Sequence, residues 1–292
     1  MHTQGDMRSP ILLTSMPRSG STWCMKILAK SGNVCAMMEP DHLDVWGLGD
    51  KGMHPHVDVE MENRPYEQIY KAGFSGHTRR RMSPSRGYLA HVRREFTQYM
   101  QPARRVILKS VYSLANTEWI YKRFRPVVVV LLRNPYSVCH SIHRKWPDAR
   151  LKPLASQGGL PSRLLGPHRE LLEAAAKPYE ILASRLGAYH KVALEAAGRH
   201  PEWVVVRHED LCRDPLRAYE KLIGDIGLDW NESVAGYIRD TNKPKTSDEV
   251  QHVNRLSSDE IHKWKMLLSE QEIEDVRRFY RPFDMGFYSE IL

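Results

Sequence analysis

Ile11-Leu12-Leu13-Thr14-Ser15-Met16-Pro17-Arg18-Ser19-Gly20-Ser21-Thr22-Trp23 passes from a short apolar run, through a turn rich in Ser and Gly, into a stretch able to form a helix. An apolar run of this length without alternation reads as a strand buried on both faces. A Gly/Ser turn between that strand and a helix aims free backbone N–H groups at an anion, and the helix dipole adds attraction. Hydroxyls on Ser19, Ser21 and Thr22 add donors, and Arg18 adds a charged fork. A capped strand–helix turn with no ligand has the same outline, but this density of donors beside an arginine favours an anion site. The segment is not a Walker A loop, because Ser15 stands at its first glycine position and Ser21 at its lysine position. A nucleoside triphosphate kinase is therefore disfavoured.

Val127 to Leu132 and Trp203-Val204-Val205-Val206 read as further buried strands, with Val106-Ile107-Leu108 as a fourth. Asn134-Pro135 and Asp214-Pro215 each place a capping side chain before a proline at the first helical position. After Asp214, residues Leu216, Tyr219, Ile223 and Ile226 fall on one helical face, with Gly227 as the stop. Leu182, Leu186, Tyr189, Ala193 and Ala196 make a second amphipathic helix ending near Gly198. Strands alternating with helices predict a single α/β domain spanning 1–292, with a central parallel sheet flanked by helices. Ligands of such sheets sit at the carboxyl ends of the strands. Residues 41–86 and 147–167, rich in Gly and Pro, fit that plan poorly and read as irregular substrate-loop insertions.

The chain has 292 residues, 41% of them hydrophobic, and a net charge of +8. This composition excludes a disordered or collagenous chain. The longest aliphatic run, Val127 to Leu132, is far short of the ~20 residues needed to span a bilayer. Residues 1–8 are polar and offer no signal peptide, so a cytoplasmic location is expected. Cys24, Cys35, Cys139 and Cys212 lie far apart and read as reduced thiols, suiting neither a zinc site nor a disulfide framework. No metal is expected. His54, His56 and Asp58 lack further spaced ligands and read as solvated. The positive surplus by itself suits nucleic acid, an acidic membrane surface or a polyanionic small molecule. Part of it, Arg79-Arg80-Arg81 with Arg86, Arg93 and Arg94, reads as a solvated face or a collector of anionic acceptor.

A second candidate anion site lies in Leu131-Leu132-Arg133-Asn134-Pro135-Tyr136-Ser137-Val138-Cys139-His140-Ser141, for which a solvated helix face with an arginine capping the sheet is the alternative reading. Arg133 leaves a buried strand at its carboxyl end, and Ser137, Ser141 and Lys145 align at spacings of four on the next helix.

With these two sites in order, the chain resembles the sulfotransferases that use 3′-phosphoadenosine-5′-phosphosulfate (PAPS). Pro17-Arg18-Ser19-Gly20-Ser21-Thr22-Trp23 resembles that family's 5′-phosphosulfate loop. Arg133-Asn134-Pro135 with Ser141 resembles its 3′-phosphate site. Arg207-His208-Glu209-Asp210-Leu211 followed by Asp214-Pro215 resembles its later R-Y-E-D-L…D-P element, with His208 where an adenine-contacting Tyr is usual. The resemblance implies the sulfotransferase version of the P-loop nucleotide-kinase-like fold.

Two departures refine it. The K-T-H element of cytosolic small-molecule sulfotransferases carries a catalytic His, whose place here is taken by Val111, which cannot accept a proton. Val34-Cys35-Ala36-Met37-Met38-Glu39-Pro40 instead resembles the Glu-bearing strand end of carbohydrate and tyrosylprotein sulfotransferases, and Leu108-Lys109-Ser110-Val111 resembles their L-K-x-V element. Thr246-Ser247-Asp248-Glu249-Val250 resembles the S-T-D-Q-V of the tyrosylprotein enzymes. The resemblance thus implies Glu39 as base, Arg18 and Lys109 as charge stabilisers, and Thr246 or Ser247 as assistants. Residues 17–23 would hold the 5′ end of PAPS, Arg133 and Ser141 its 3′-phosphate, with His208 and Arg255 as further nucleotide contacts. The expected partner is a hydroxyl-bearing acceptor. Sugars, lipids, phenols and peptides all stay open, with a carbohydrate or glycolipid ranked first. Two rivals stand beside this reading: an ATP- and Mg²⁺-dependent phosphotransferase with a divergent loop, and a non-catalytic basic module for nucleic acid. The latter has no helix-turn-helix, zinc-finger or RNA-binding aromatic signature behind it.

Overall fold

Five short apolar runs pair into one parallel sheet in the computed structural model, which describes residues 9–42, 56–76, 105–147, 160, 165–243 and 257–292. In chain order the strands are β1 (Ile11–Ser15), β2 (Val34–Met38), β3 (Arg105–Ser110), β4 (Val127–Leu132) and β5 (Val204–Arg207). Their spatial order is β2-β3-β1-β4-β5, with every neighbouring pair parallel. The helices are α1 (Ser21–Leu28), α2 (Arg64–Phe74), α3 (Thr117–Phe124), α4 (Pro135–Lys145), α5 (Arg169–Ala174), α6 (Pro178–Arg199), α7 (His208–Arg213), α8 (Pro215–Asp225), α9 (Glu232–Thr241), α10 (Ser257–His262), α11 (Trp264–Leu267) and α12 (Glu270–Tyr280).

Alternation along the central strands sends their side chains into separate cores. Ile11, Leu13, Ile107, Val129 and Leu131 pack with Cys24, Ile27 and Leu28 of α1, Tyr219 and Ile223 of α8, and Val234 and Ile238 of α9. Val128, Val130 and Leu132 pack with Tyr136 and Cys139 of α4, Leu182 and Leu186 of α6, and Val276 and Phe279 of α12. On the β2–β3 side Leu12 and Leu108 meet Tyr66 and Tyr70 of α2 and Trp119 of α3. Cover on both faces explains why the central strands read as continuous apolar runs.

The structure adjusts several expectations. β5 starts at Val204, one residue later than read, because the buried Trp203 belongs to the turn before it. The helix read around Leu182–Ala196 begins earlier, at Pro178. β2 alternates half-buried and buried positions and ends on the exposed Met38, so its residues alone gave no buried-strand signal. Within the stretch read as irregular, residues 64–74 form α2, capped by Asn63 and anchored through Tyr66, Ile69 and Tyr70. His56 is not simply solvated: its Nδ1 lies 3.0 Å from the carbonyl of Ala115. The four cysteines are buried and unbridged, and burial pushes the Cys24 and Cys212 thiols up to about 12. Among the described residues no helix is long and apolar enough to cross a membrane.

Candidate active site at the carboxyl ends of the strands

The chain turns from β1 toward β2 and β3, then crosses back to β4 and β5, so the loops after β1 and β4 diverge to opposite faces. A crevice opens at such a switch point. Across the sheet, the five strand ends present in order Glu39, Lys109, the 16–20 turn, Arg133 and His208.

The turn after β1 works because of two left-handed residues, Arg18 at φ 68° and Gly20 at φ 85°. Gly20 is the N-cap of α1 and carries no side chain to cap the helix. A side chain at Gly20 has no room, since a Cβ there would lie 2.5 Å from Cε1 and 2.6 Å from Nδ1 of His208. Ser19 is fully buried and its Oγ has no hydrogen-bond partner among the described residues. Thr22 is exposed, while Ser21 is buried. The Trp23 indole N–H donates to Thr241 Oγ1 at 3.0 Å, and its ring meets Tyr219 edge-on. That side chain therefore faces α8 and α9.

The two predicted anion sites are physically joined. Arg18 Nε donates to Ser141 Oγ at 2.9 Å, and Arg133 Nη1 donates to the carbonyl oxygen of Arg18 at 3.1 Å. Arg133 Nη2 faces Glu260 of α10 at 3.5 Å, while its Nε is buried with no hydrogen-bond partner among the described residues. The Asn134 side chain caps α4 by accepting from the N–H groups of Tyr136 and Ser137.

Glu39 stands just past β2 at φ 49° and donates its N–H to the Lys109 carbonyl at 2.7 Å, continuing the ladder. Its carboxylate accepts a hydrogen bond from Lys109 Nζ. The lysine is 3% exposed and the glutamate 19%, so the pair sits in a recess with the carboxylate on the open side.

Three further groups were not singled out in the sequence. Glu209 accepts from the Asn134 N–H at 3.0 Å and from the Tyr288 hydroxyl at 3.1 Å, tying β5 to the start of α4. Burial raises its carboxyl, and the neighbouring hydrogen bonds and Arg133 only partly offset this. Asp41, completely buried, and Glu260, half-buried against Arg133, are the others; the structure reveals these two, and the role of Glu209 within its motif, through their partners. His208 is buried beneath Gly20 with Cys212 Sγ 3.4 Å from its Nε2. Burial, then the charge of Arg133, push its imidazole well below the usual range, so it is neutral. Thr246, Ser247, Arg255, His54 and the arginines at 79–94 lie outside the described residues.

A family model described as "Sulfotransferase family" matches residues 10–232. No curated protein matches the chain. Among solved structures, mouse sulfotransferase SULT7A1 complexed with PAP is similar at 12% identity, over 96% of this chain and 85% of that one, with a TM-score of 0.51. The sulfotransferase domain of the Synechococcus PCC 7002 olefin synthase is 16% identical over 96% and 98% of the two chains, with a TM-score of 0.47. A sulfotransferase from Alicyclobacillus acidocaldarius is 16% identical over 94% and 92%, with a TM-score of 0.46. The first of these likenesses speaks to the fold.

Proposed function

The chain belongs to the sulfotransferase family, and we propose that it moves a sulfuryl group from PAPS to an acceptor hydroxyl, with Glu39 as the base. The observation that carries this reading is the junction of two strand-end anion sites through Arg18, Ser141 and Arg133, beside the Glu39–Lys109 pair. The donor set suits a nucleotide with phosphates at both ends. Gly20 brings no capping side chain to the N-terminus of α1, and among the described residues Ser19 Oγ and Arg133 Nε are buried donors without partners. Buried donors of this kind are costly unless something completes them.

In this reading residues 17–23 hold the 5′ end, and Arg133 with Ser141 holds the 3′-phosphate. His208 supports the loop from below, and Arg255 is a further nucleotide contact. When bound, the donor supplies a sulfuryl group on a phosphate leaving group. Glu39 takes the proton from the acceptor hydroxyl as its oxygen bonds to sulfur, help typically worth ~100- to 10,000-fold. Lys109 has three N–H donors. One orients Glu39, leaving the others to meet charge developing on the sulfuryl and bridging oxygens together with Arg18. Thr246 or Ser247 assists. No metal enters this scheme. The acceptor side is assigned to the stretches 41–86 and 147–167, with a carbohydrate or glycolipid as the first acceptor class to screen.

The test is Glu39→Gln with labelled PAPS and a panel of hydroxyl acceptors. Transfer falls by ~100-fold or more, while calorimetry finds binding of adenosine 3′,5′-bisphosphate (PAP) unchanged. Near-normal transfer in that variant removes the base assignment. Transfer from ATP with Mg²⁺, and none from PAPS in EDTA, overturns the donor assignment.

A further inference from the structure

Residues 39–42 form a tight turn closed by the His42 N–H on the Glu39 carbonyl at 3.1 Å, with Pro40 at its second position. Glu39 enters it in the left-handed region, which a residue with a long side chain adopts only where its surroundings impose it. Two residues on, inside the same turn, stands Asp41. This carboxylate is completely buried, and its Oδ2 accepts both the Ser110 hydroxyl and the Tyr70 hydroxyl at 2.6 Å.

Ser110 follows Lys109 directly. Glu39–Lys109 and Asp41–Ser110 are therefore two rungs between the same two segments, the first opening to the site and the second facing the core. Ser110 Oγ also accepts from the N–H groups of Tyr112 and Ser113 at 3.2 Å, which fixes the backbone leaving β3. From the other side α2 presses on the turn: a Cβ at Gly73 would lie 3.1 Å from Pro40 Cγ. Tyr70 continues the chain of polar groups to Tyr66, whose oxygen is 3.3 Å away, and Asn116 Nδ2 donates to Tyr66 at 3.4 Å. The His42 ring packs edge-on against Tyr112 at 5.3 Å.

Strand pairing does not need a buried carboxylate here, because the β2–β3 ladder is already complete through Met38 and Lys109. A buried acid costs more than an apolar residue of similar size unless it is fully hydrogen-bonded. What the acid does is fasten the turn to the end of β3 and to α2 at once.

We propose that Asp41 is a positioning residue for sulfuryl transfer: with Ser110 and Tyr70 it holds the turn that presents Glu39, so that the carboxylate stays on Lys109 and faces the acceptor. This rests on the reading of Glu39 as the base.

Three variants test it. Tyr70→Phe keeps the ring that fills the core, Ser110→Ala removes the other donor, and Asp41→Asn removes the charge. Lys109 is labelled with an acetylating N-hydroxysuccinimide ester and read by mass spectrometry. Its reactivity rises about tenfold in Tyr70→Phe and Asp41→Asn, the scale of losing a hydrogen bond to a charged group. The fully buried Cys24 and Cys139 stay closed to iodoacetamide, and PAP affinity by calorimetry is unchanged. With phenol as probe acceptor, whose hydroxyl keeps its proton at neutral pH, kcat falls while the KM for PAPS holds. In a Glu39→Gln background Asp41→Asn adds no further loss, the non-additivity expected of one unit. Should Asp41→Asn not fold, Tyr70→Phe and Ser110→Ala carry the test. Lys109 remaining closed in the folded variants overturns the proposal. So does joint opening of Lys109, Cys24 and Cys139, which means support of the fold alone. Full transfer by Glu39→Gln together with selective opening of Lys109 overturns the base assignment while leaving the clamp on Lys109 in place.

Discussion

The Arg18 guanidinium donates to the Ser141 hydroxyl at 2.9 Å across 123 residues of sequence, so the turn after β1 and the helix after β4 share one hydrogen bond. In the proposed reading Ser141 serves both anion sites, as a donor to one and as a tether for the arginine of the other. Ser141→Ala weakens PAP binding about tenfold, the scale of one hydrogen bond to a charged group. The loss is smaller for adenosine 5′-diphosphate, which lacks the 3′-phosphate. Equal losses for the two nucleotides, read by calorimetry, mean that Ser141 acts only on Arg18.

In the proposed reading Arg133 is contested by two anions. Its Nη2 faces Glu260, which is 14% exposed and also pairs with Lys263 at 3.3 Å. A 3′-phosphate on the same fork has to share it with that carboxylate. Glu260→Gln keeps the shape and removes the competing charge, so PAP binds roughly fivefold more tightly, in line with ~1 kcal/mol for a partly exposed ion pair. Weaker binding in that variant makes Glu260 a support of Arg133 instead of a competitor.

Gly20→Ala meets two obstacles at once. The alanine takes a left-handed backbone at a cost of about 1–3 kcal/mol, and its methyl collides with the buried His208 ring. The variant loses roughly 2–4 °C of melting temperature per kcal/mol and binds PAP more weakly because the turn is displaced. Adding His208→Ala restores space but not the backbone preference, so stability recovers only in part. Full recovery in the double variant assigns the whole effect to the collision.

What could be read from the sequence, and what could not, follows from the kind of contact involved. The runs 11–14 and 127–132 announced buried strands because both faces of the sheet are covered. Arg18, Gly20 and Arg133 announced themselves through local order: a strand, then a turn, then a helix. β2 was reached through the resemblance of its Glu39 end, since an edge strand with a half-buried pattern has no strong signal of its own. Glu209 and Asp41 stayed silent because their partners, Tyr288 and Tyr70, lie 79 and 29 residues away. No spacing rule connects residues that only the fold brings together.

His190 gives the folded chain a dependence on acid. It sits on α6 against α12, with Nδ1 2.9 Å from the Tyr280 hydroxyl and Nε2 buried without a partner among the described residues. Burial pushes its imidazole down from 6.5 to about 3. Below pH 6.5 the unfolded chain therefore binds a proton that the folded chain refuses. The stability this residue contributes is fully present above 6.5 and is lost as pH falls toward 3, at up to ~1.4 kcal/mol per pH unit. His208 is shifted in the same direction and adds a slope of the same sign. His190→Gln removes one titrating group while keeping a polar partner for Tyr280. Chemical denaturation at pH 7 and pH 4.5 then finds the gap between wild type and variant changing by about 3 kcal/mol in favour of the variant at the lower pH. The His208 contribution is common to both proteins and cancels. Parallel stability curves for the two proteins across that interval mean that His190 takes up its proton without unfolding the chain, through a water path to Nε2 that relieves its burial.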